Sequence, residues 1–425
     1  MVKRSLILVL LWLFVAGCTA TPTPVITGVP TVTATPTATQ PPAPRITPTP
    51  DRQLTLEVWL PPQFDTVTGT VAGDLLQARL DQFATEQADV IVQMRIKPLD
   101  GPGGLLDSLT TASAAAPLAL PDLVALPRPV LETAALKGLL RPFDDLVNNL
   151  EDTDWYDYAL QLSQLQDSHF GQPFAGDALV LVYRKEIVPE PPSTLTYTLH
   201  SEGPLIFPAG DPQALYTLAL YQAAGGSILD DEGRPFLEEE PLLEVLSYYH
   251  EAALNEFTPF WLTQFQSDDQ AWDAFQTGQA NMVVTWASRY LKNKSEDIQV
   301  VPIPTLDGKN FTLATGWVWA LASPFPERQR MAAELAIFLS DSEFLAQWTE
   351  ATGYLPPRPS ALSDWNTAGL RAIVEDVSSS AYLYPSADVL PGLAAPLSEA
   401  TILMLKQQRD PASAAQEAVN RLLGP

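Results

Sequence analysis

Two periodicities alternate along the chain from about residue 54 onward. Leu54 to Leu60 (LTLEVWL) places apolar and polar residues in turn, the signature of a strand, and Pro61-Pro62 stops it. Between Asp74 and Gln87, Leu75, Leu76, Leu80 and Phe83 fall at helical spacing, and Val90 to Ile96 is a second strand ended by Pro98. A strand, a helix and a strand in that order predict a right-handed crossover with parallel pairing. The pattern repeats with a helix over Leu105 to Ala115, a short buried strand over Asp122 to Leu126, and a helix over Pro129 to Lys137 closed by Gly138.

Further along, strands are predicted at Ala178 to Tyr183, Leu205 to Phe207, Ala280 to Trp286 and Ile298 to Val301. Helices are predicted at Ala214 to Ala224, Leu242 to Leu254 and Gln329 to Leu339, and again from Leu393 onward with a break at Asp410-Pro411. Alternation of this kind specifies α/β layers, not a bundle or a sandwich, and no short repeat suggests a solenoid.

The first 52 residues follow different rules. Lys3 and Arg4 precede an apolar run from Leu6 to Val15, the layout of a secretory signal that is shorter than the ~20 residues needed to span a bilayer. Val15-Ala16-Gly17-Cys18 follows, and Cys18 is the only cysteine of the 425 residues. Its thiol can accept a diacylglycerol, so residues 1–17 read as a signal peptide that resembles those of bacterial lipoproteins. From Thr19 to Pro50 the chain is almost entirely Thr, Pro, Ala and Val, as in Thr21-Pro22-Thr23-Pro24. Such a segment has nothing to bury and reads as an extended spacer, residues 18–52, with a reach of up to about 100 Å at ~3.1 Å per residue. The remaining residues, 53–425, read as one globular domain, tethered to the outer face of the cell membrane if Cys18 carries a lipid.

Composition narrows the partners. The chain is 46% hydrophobic and nine of its ten tryptophans lie beyond residue 52, so the domain can fill two cores. The formal charge of −26 becomes two units more negative once Lys3 and Arg4 leave with the leader, and an acidic excess of this size disfavours nucleic acid and anionic lipid surfaces. With Cys18 acylated, no thiol remains for catalysis or for a metal, and neither a cofactor nor a metal is expected.

Five segments in order carry a resemblance that spans about Leu54 to Leu422. They are Pro121-Asp122-Leu123-Val124 with Gly138-Leu139-Leu140-Arg141-Pro142-Phe143; Gly171-Gln172-Pro173; Leu181-Val182-Tyr183-Arg184-Lys185; Phe275-Gln276-Thr277-Gly278-Gln279-Ala280-Asn281-Met282 with Trp286 beyond; and Gly353-Tyr354-Leu355-Pro356. Together they are similar to the maltose-binding branch of the extracellular solute-binding proteins of ABC importers. The resemblance implies the two-lobed α/β fold of type II periplasmic binding proteins, with discontinuous lobes and a ligand cleft between them. By analogy, one lobe would hold about 54–173 and 287–319, and the other about 174–286 and 320–425. It implies a monomeric receptor that takes a small solute, most of all a carbohydrate, and delivers it to the importer's permease by closing its lobes.

Aromatic faces suit the C–H patches of sugar rings, and carboxylates suit their hydroxyls. Trp59 and Trp286 end strands, where α/β sheets place ligands, and Trp317 lies at an expected lobe crossing. Asp177 stands where sugar-binding relatives carry a hinge carboxylate, and Tyr216 falls near a stacking tyrosine of the family. Arg128, in Leu126-Pro127-Arg128-Pro129, occupies a loop where relatives often have an aromatic and is a candidate for a polar or anionic group. Each has a structural alternative: core packing for the tryptophans, an ordinary helix-face aromatic for Tyr216, a solvated turn for Asp177, a surface cap for Arg128.

Catalytic patterns are sparse. His169, His200 and His250 are scattered, and His250-Glu251-Ala252-Ala253-Leu254 lacks the second histidine of a zinc helix. Neither a Gly-x-Ser-x-Gly elbow nor a phosphate loop occurs. Carboxylates abound, as in Glu238-Glu239-Glu240, so a surface glycoside hydrolase is the alternative from another class. A ligand sensor that partners a sensor kinase is a third reading.

Overall fold

The computed structural model describes residues 53–423 apart from positions 88, 149, 151 and 152. The expected leader, Cys18 and the spacer lie outside the described residues. Among the described residues the strands are β1 (Leu54–Leu60), β2 (Val90–Ile96), β3 (Leu123–Pro127), β4 (Gln164–Leu165), β5 (Ser168–His169), β6 (Gln172–Arg184), β7 (Leu205–Ile206), β8 (Met282–Trp286), β9 (Ile298–Pro302), β10 (Thr312–Leu321) and β11 (Ala381–Leu383). β4 and β5 form a small hairpin, and the others form one sheet in the order β2-β1-β3-β10-β6-β8-β7, with β11 beside β10 and β9 beside β6.

β6 makes this sheet into two halves. Its first part, Gln172 to Ala178, pairs antiparallel with β10, whereas Leu179 to Arg184 pairs with β8 on one edge and β9 on the other. The run Ala178-Leu179-Val180-Leu181-Val182-Tyr183 carries only apolar and aromatic residues, as a strand covered on both faces requires. Leu355 adds a third crossing segment, bonded to Gly176 in both directions at 2.7 and 2.8 Å. Gly176 and Gly316 face each other across β6 and β10. A side chain at Gly176 would run into the Tyr158 hydroxyl, and one at Gly316 into the Ala175 carbonyl and Leu162, so the crossing is glycine because the Asp157–Ser163 helix lies directly on it.

In the first half β1 lies parallel to both β2 and β3, as the strand-helix-strand pattern predicts. Leu56, Val58 and Leu60 point into a core with Leu76, Leu80 and Phe83 of the Val71–Glu86 helix and Leu335 and Leu345 of later helices. Each such side chain stabilises the fold by roughly 1.5–3 kcal/mol relative to exposure. That first helix begins three residues earlier than its apolar spacing suggests, because Thr70 caps it by accepting from the Gly73 N–H at 3.1 Å. Asp122 is fully buried and accepts from the Glu57 N–H at 2.8 Å and from Arg328 Nε at 2.6 Å, tying the later Pro326–Phe338 helix to the first strands. In the second half, the Leu215–Ala223, Glu239–Leu254, Leu390–Leu405 and Pro411–Leu423 helices pack around Leu218, Tyr249, Leu246 and Leu393, and the break at Asp410-Pro411 is present.

Strand pairing does not follow the division expected from the sequence. Residues 287–302 belong with the second half, since β9 pairs with the distal part of β6. The Pro326–Phe338 and Ser342–Thr352 helices belong with the first, where Arg79 donates twice to the Phe338 carbonyl and Leu345 and Trp348 join the β1 core. The apolar periodicity of a helix shows that it is buried, not against which sheet.

Candidate functional site

The strand registers place one boundary between the halves. β1, β2 and β3 end at Leu60, Ile96 and Pro127, and Trp317 of β10 lies opposite both Pro127 and Ala175. From the other side β8 ends at Trp286, opposite Leu179 of β6, and β7 runs parallel to β8. The carboxyl ends of the parallel strands of both halves therefore converge on Ala175 to Leu179, a stretch of about 14 Å at ~3.4 Å per residue. Open α/β sheets bind ligands outside such strand ends.

On the second half, two cavities open at this boundary on either side of Trp286. One, of about 320 Å³, is walled by Pro208, Asp211, Leu215, Tyr216, Val284 and Trp286, among others. The other, of about 270 Å³, is walled by Asp268, Trp286, Ser288, Arg289, Lys292 and Asn293. Trp286 and Asp268 belong to both. Trp286 is the capping residue of the Ala287–Lys292 helix and is only half-buried, so its ring stays at the rim. The larger cavity has mostly apolar walls with a few fixed polar groups, the ordinary make-up of a small-molecule site, and the smaller is walled mainly by polar and charged groups around Trp286.

Those polar groups are held in place by the protein. Asp268 accepts from Thr285 Oγ1 at 2.6 Å and from Arg289 Nε at 2.9 Å; burial raises its pKa, opposed by these two partners. Arg289 also pairs with Asp269. Asp211 accepts from the backbone N–H groups of Gln213 and Leu215 at 2.9 and 3.2 Å, and burial likewise raises its pKa. Lys292 places its ammonium 4.2 Å from the Tyr354 ring, and desolvation lowers its pKa against the pull of Asp177.

The other expected residues are distributed unevenly. Tyr216 lines the larger cavity with its ring alone, because its hydroxyl is buried without a hydrogen-bond partner and the ring packs edge-on against Phe207 at 4.8 Å. Trp317 sits at the boundary against Phe64, at 4.9 Å, and hydrogen-bonds the Tyr354 hydroxyl; it is 8% exposed. Asp177 is also 8% exposed and is no solvated turn: it accepts from Ala178 and Ser288, and burial pushes its carboxyl up to about 6, opposed chiefly by the Ser288 hydrogen bonds.

Two expectations are corrected. Trp59 is 3% exposed and packs into the first half with Leu105 and Leu109, its indole N–H donated to Glu57 Oε1 at 2.6 Å and its ring under Lys97, so it offers no face to a ligand. The strand's alternation turns Trp59 away from the face that Leu56, Val58 and Leu60 share and onto the opposite, helix-covered face. Arg128 is also buried. It pairs with Glu132 at 2.6 Å and donates to the carbonyls of Gln161, Leu162 and Gln164, closing the end of the Asp157–Ser163 helix.

Arg289, Lys292, Ser288, Asp268, Phe64 and Tyr354 were not singled out by sequence. For the first three a signal existed, since Trp286-Ala287-Ser288-Arg289 follows directly on the end of a strand. Among the described residues no group of three or more His, Cys, Asp or Glu side chains is placed to hold a metal, and no helix is long and apolar enough to cross a membrane.

Comparison with known proteins agrees with this architecture. The family model for bacterial extracellular solute-binding proteins matches residues 78–372. A maltotriose-binding protein from Pyrococcus abyssi is 25% identical over 242 residues, which is 53% of this chain and about half, 52%, of that protein. Among solved structures, a cyclo/maltodextrin-binding protein complexed with maltotetraose superposes with a TM-score of 0.69 at 21% identity, covering 88% of this chain and 97% of that one. The cyclic α-maltosyl-1,6-maltose binding protein of Arthrobacter globiformis gives a TM-score of 0.70 at 17% identity over 87% and 99% of the two chains. The sugar-binding protein MalE of Xanthomonas citri gives 0.70 at 17% over 87% and 96%. These likenesses establish the two-lobed periplasmic-binding fold.

Proposed function

Because this chain belongs to the bacterial extracellular solute-binding proteins, we propose that it captures a carbohydrate between its two lobes outside the cell and delivers it to the permease of an ABC importer. The observation that carries this reading is the wall around Trp286, a half-exposed indole with a cavity on either side and charged groups fixed at its edge. An indole face accepts the C–H side of a sugar ring, while Asp268, Arg289 and Lys292 offer acceptors and donors to its hydroxyls. The maltotriose and maltodextrin specificities in the names of the relatives support a glucan.

The chain works as a monomer tethered through a lipid on Cys18, with residues 18–52 as the spacer. It catalyses no reaction. A solute that touches both lobes only when they are closed shifts the population toward the closed form, which is the form a permease reads. Calorimetric titration of the purified domain with maltotriose and longer maltodextrins tests the reading. Saturable binding with the sugar recovered intact is expected; absence of heat with every glucan would remove the carbohydrate, and cleavage of the sugar would make the protein a hydrolase.

A further inference from the structure

Asp177 stands on β6 where the strand passes from one half of the sheet to the other, and its carboxylate is already occupied. Oδ1 accepts from the Ser288 N–H at 2.9 Å and from the Ala178 N–H at 3.0 Å, and Oδ2 accepts from the Ser288 hydroxyl at 2.5 Å. Ser288 lies in the first turn of the short helix that Trp286 caps and that carries Arg289 and Lys292. All four residues line the same cavity. Three donors hold this buried anion and leave a solute at most one acceptor position, on Oδ2, and hydrogen bonds to charged groups are the costliest to break.

We infer that Asp177 is a positioning residue for solute capture: it fastens the wall formed by Trp286, Arg289 and Lys292 to the crossing strand, and so fixes where that wall stands relative to the first half. The inference rests on the reading that the cavities beside Trp286 receive the solute. The groups that face Asp177 come from three elements. Lys292 attracts it from the fastened helix itself, Tyr158 faces it from the Asp157–Ser163 helix, and Tyr354 from the third crossing segment. Arg289 is engaged by Asp268 and Asp269. Protonation leaves Oδ1 as an acceptor and lets Oδ2 donate to the Ser288 hydroxyl, so the fastening survives; what disappears is the charge that draws Lys292. An asparagine at 177 reproduces that neutral state.

Two measurements on the mature domain test this. In the sugar-free protein, Asp177→Ala and the milder Ser288→Ala should both speed hydrogen exchange at the amides of residues 288–292, while Asp177→Asn changes it little; unchanged exchange in Ser288→Ala and Asp177→Ala overturns the fastening whether or not any sugar binds. With maltotriose as probe, Ser288→Ala should bind about tenfold more weakly, the worth of one charged hydrogen bond, and Asp177→Ala, which also releases the Ser288 N–H, at least as weakly. Because Ser288→Ala removes only a bond that Asp177→Ala removes as well, the double variant should be no weaker than Asp177→Ala alone. Additive losses, or an Asp177→Asn variant as weak as the alanine with Ser288→Ala intact, would make Asp177 a direct sugar contact and end the proposal. Failure of the wild type to bind maltotriose would count against the carbohydrate reading alone, since exchange still decides the fastening.

Discussion

The two halves present opposite kinds of surface to the boundary they share. On the first, Phe64 packs against Trp317, Phe174, Trp348 and Tyr354 with ring centroids between 4.9 and 5.9 Å apart, a sealed aromatic plug. On the second, Trp286 stands half-exposed between two cavities. Both follow the ends of strands, and the difference lies in what comes next in the chain. After β1, the turn Pro62–Phe64 folds Phe64 back onto the core, whereas after β8 the helix begins at once with Trp286 as its cap and the ring cannot retreat. Aromatic content at a strand end therefore does not decide whether a ring stays exposed; the geometry of the following turn does.

The largest test of this contrast is to truncate residues assigned to packing. Trp59→Ala should cost about 3–5 kcal/mol of stability, as is usual for an aromatic removed from a core. Arg128→Ala should cost about as much, because it leaves Glu132, 4% exposed, without its cation. Denaturant unfolding measures both losses. In each case the folded fraction should bind sugar as the wild type does, and a selective loss of affinity in a fully folded Trp59 or Arg128 variant would return that residue to the binding wall.

These two positions also mark where sequence reading stops. The order of strands and helices and the parallel first unit follow from local periodicity and turn residues, which the chain carries openly. The crossing near Asp177 is implied by the resemblance of Gly171-Gln172-Pro173 and Leu181 to Lys185 to the family. The place of Trp286 at the end of a buried strand was legible from local periodicity as well. What was not legible depends on tertiary packing. Arg128 looks like a surface cation until the carbonyl ends at Gln161 to Gln164 arrive from more than thirty residues away. Asp177 looks like a turn residue until Ser288 is placed beside it, 111 residues later in the chain. The Pro326–Phe338 helix could cover either half on its periodicity, and it is the pairing of Arg328 with buried Asp122, with the Arg79 bonds to the Phe338 carbonyl, that assigns it to the first.

A second test uses pH. The Asp177 carboxyl titrates near 3.8 when exposed and is raised to about 6 by burial at the boundary. Between those values the native chain holds a proton that the unfolded chain has released. Its contribution to stability is therefore complete below about pH 3.8 and is lost as pH rises through about 6, by up to about 3 kcal/mol at 1.36 kcal/mol per unit. Asp177→Asn should remove this component, so the difference in unfolding free energy between variant and wild type should grow in the variant's favour from acid to neutral pH. A difference that stays flat across this window would mean that Asp177 is solvated, and the boundary more open on the β6 side than its burial indicates.

The finest discrimination comes from Trp286 itself. Its ring is half-exposed, so little core is lost on truncation, and Trp286→Ala should move the melting temperature far less than Trp59→Ala. If the indole stacks on the sugar, the apolar area it covers in the complex is worth about 1–3 kcal/mol, and maltotriose affinity should fall by roughly five- to 150-fold. Trp286→Phe keeps a ring of smaller area and should fall between the two. Trp317, sealed against Phe64 on the opposite side, supplies the internal control: Trp317→Phe should lower stability through the aromatic plug and leave the sugar contact nearly as it was. Affinity lost at 317 but kept at 286 would reverse the assignment of the two surfaces, placing recognition on the first half and packing on the second.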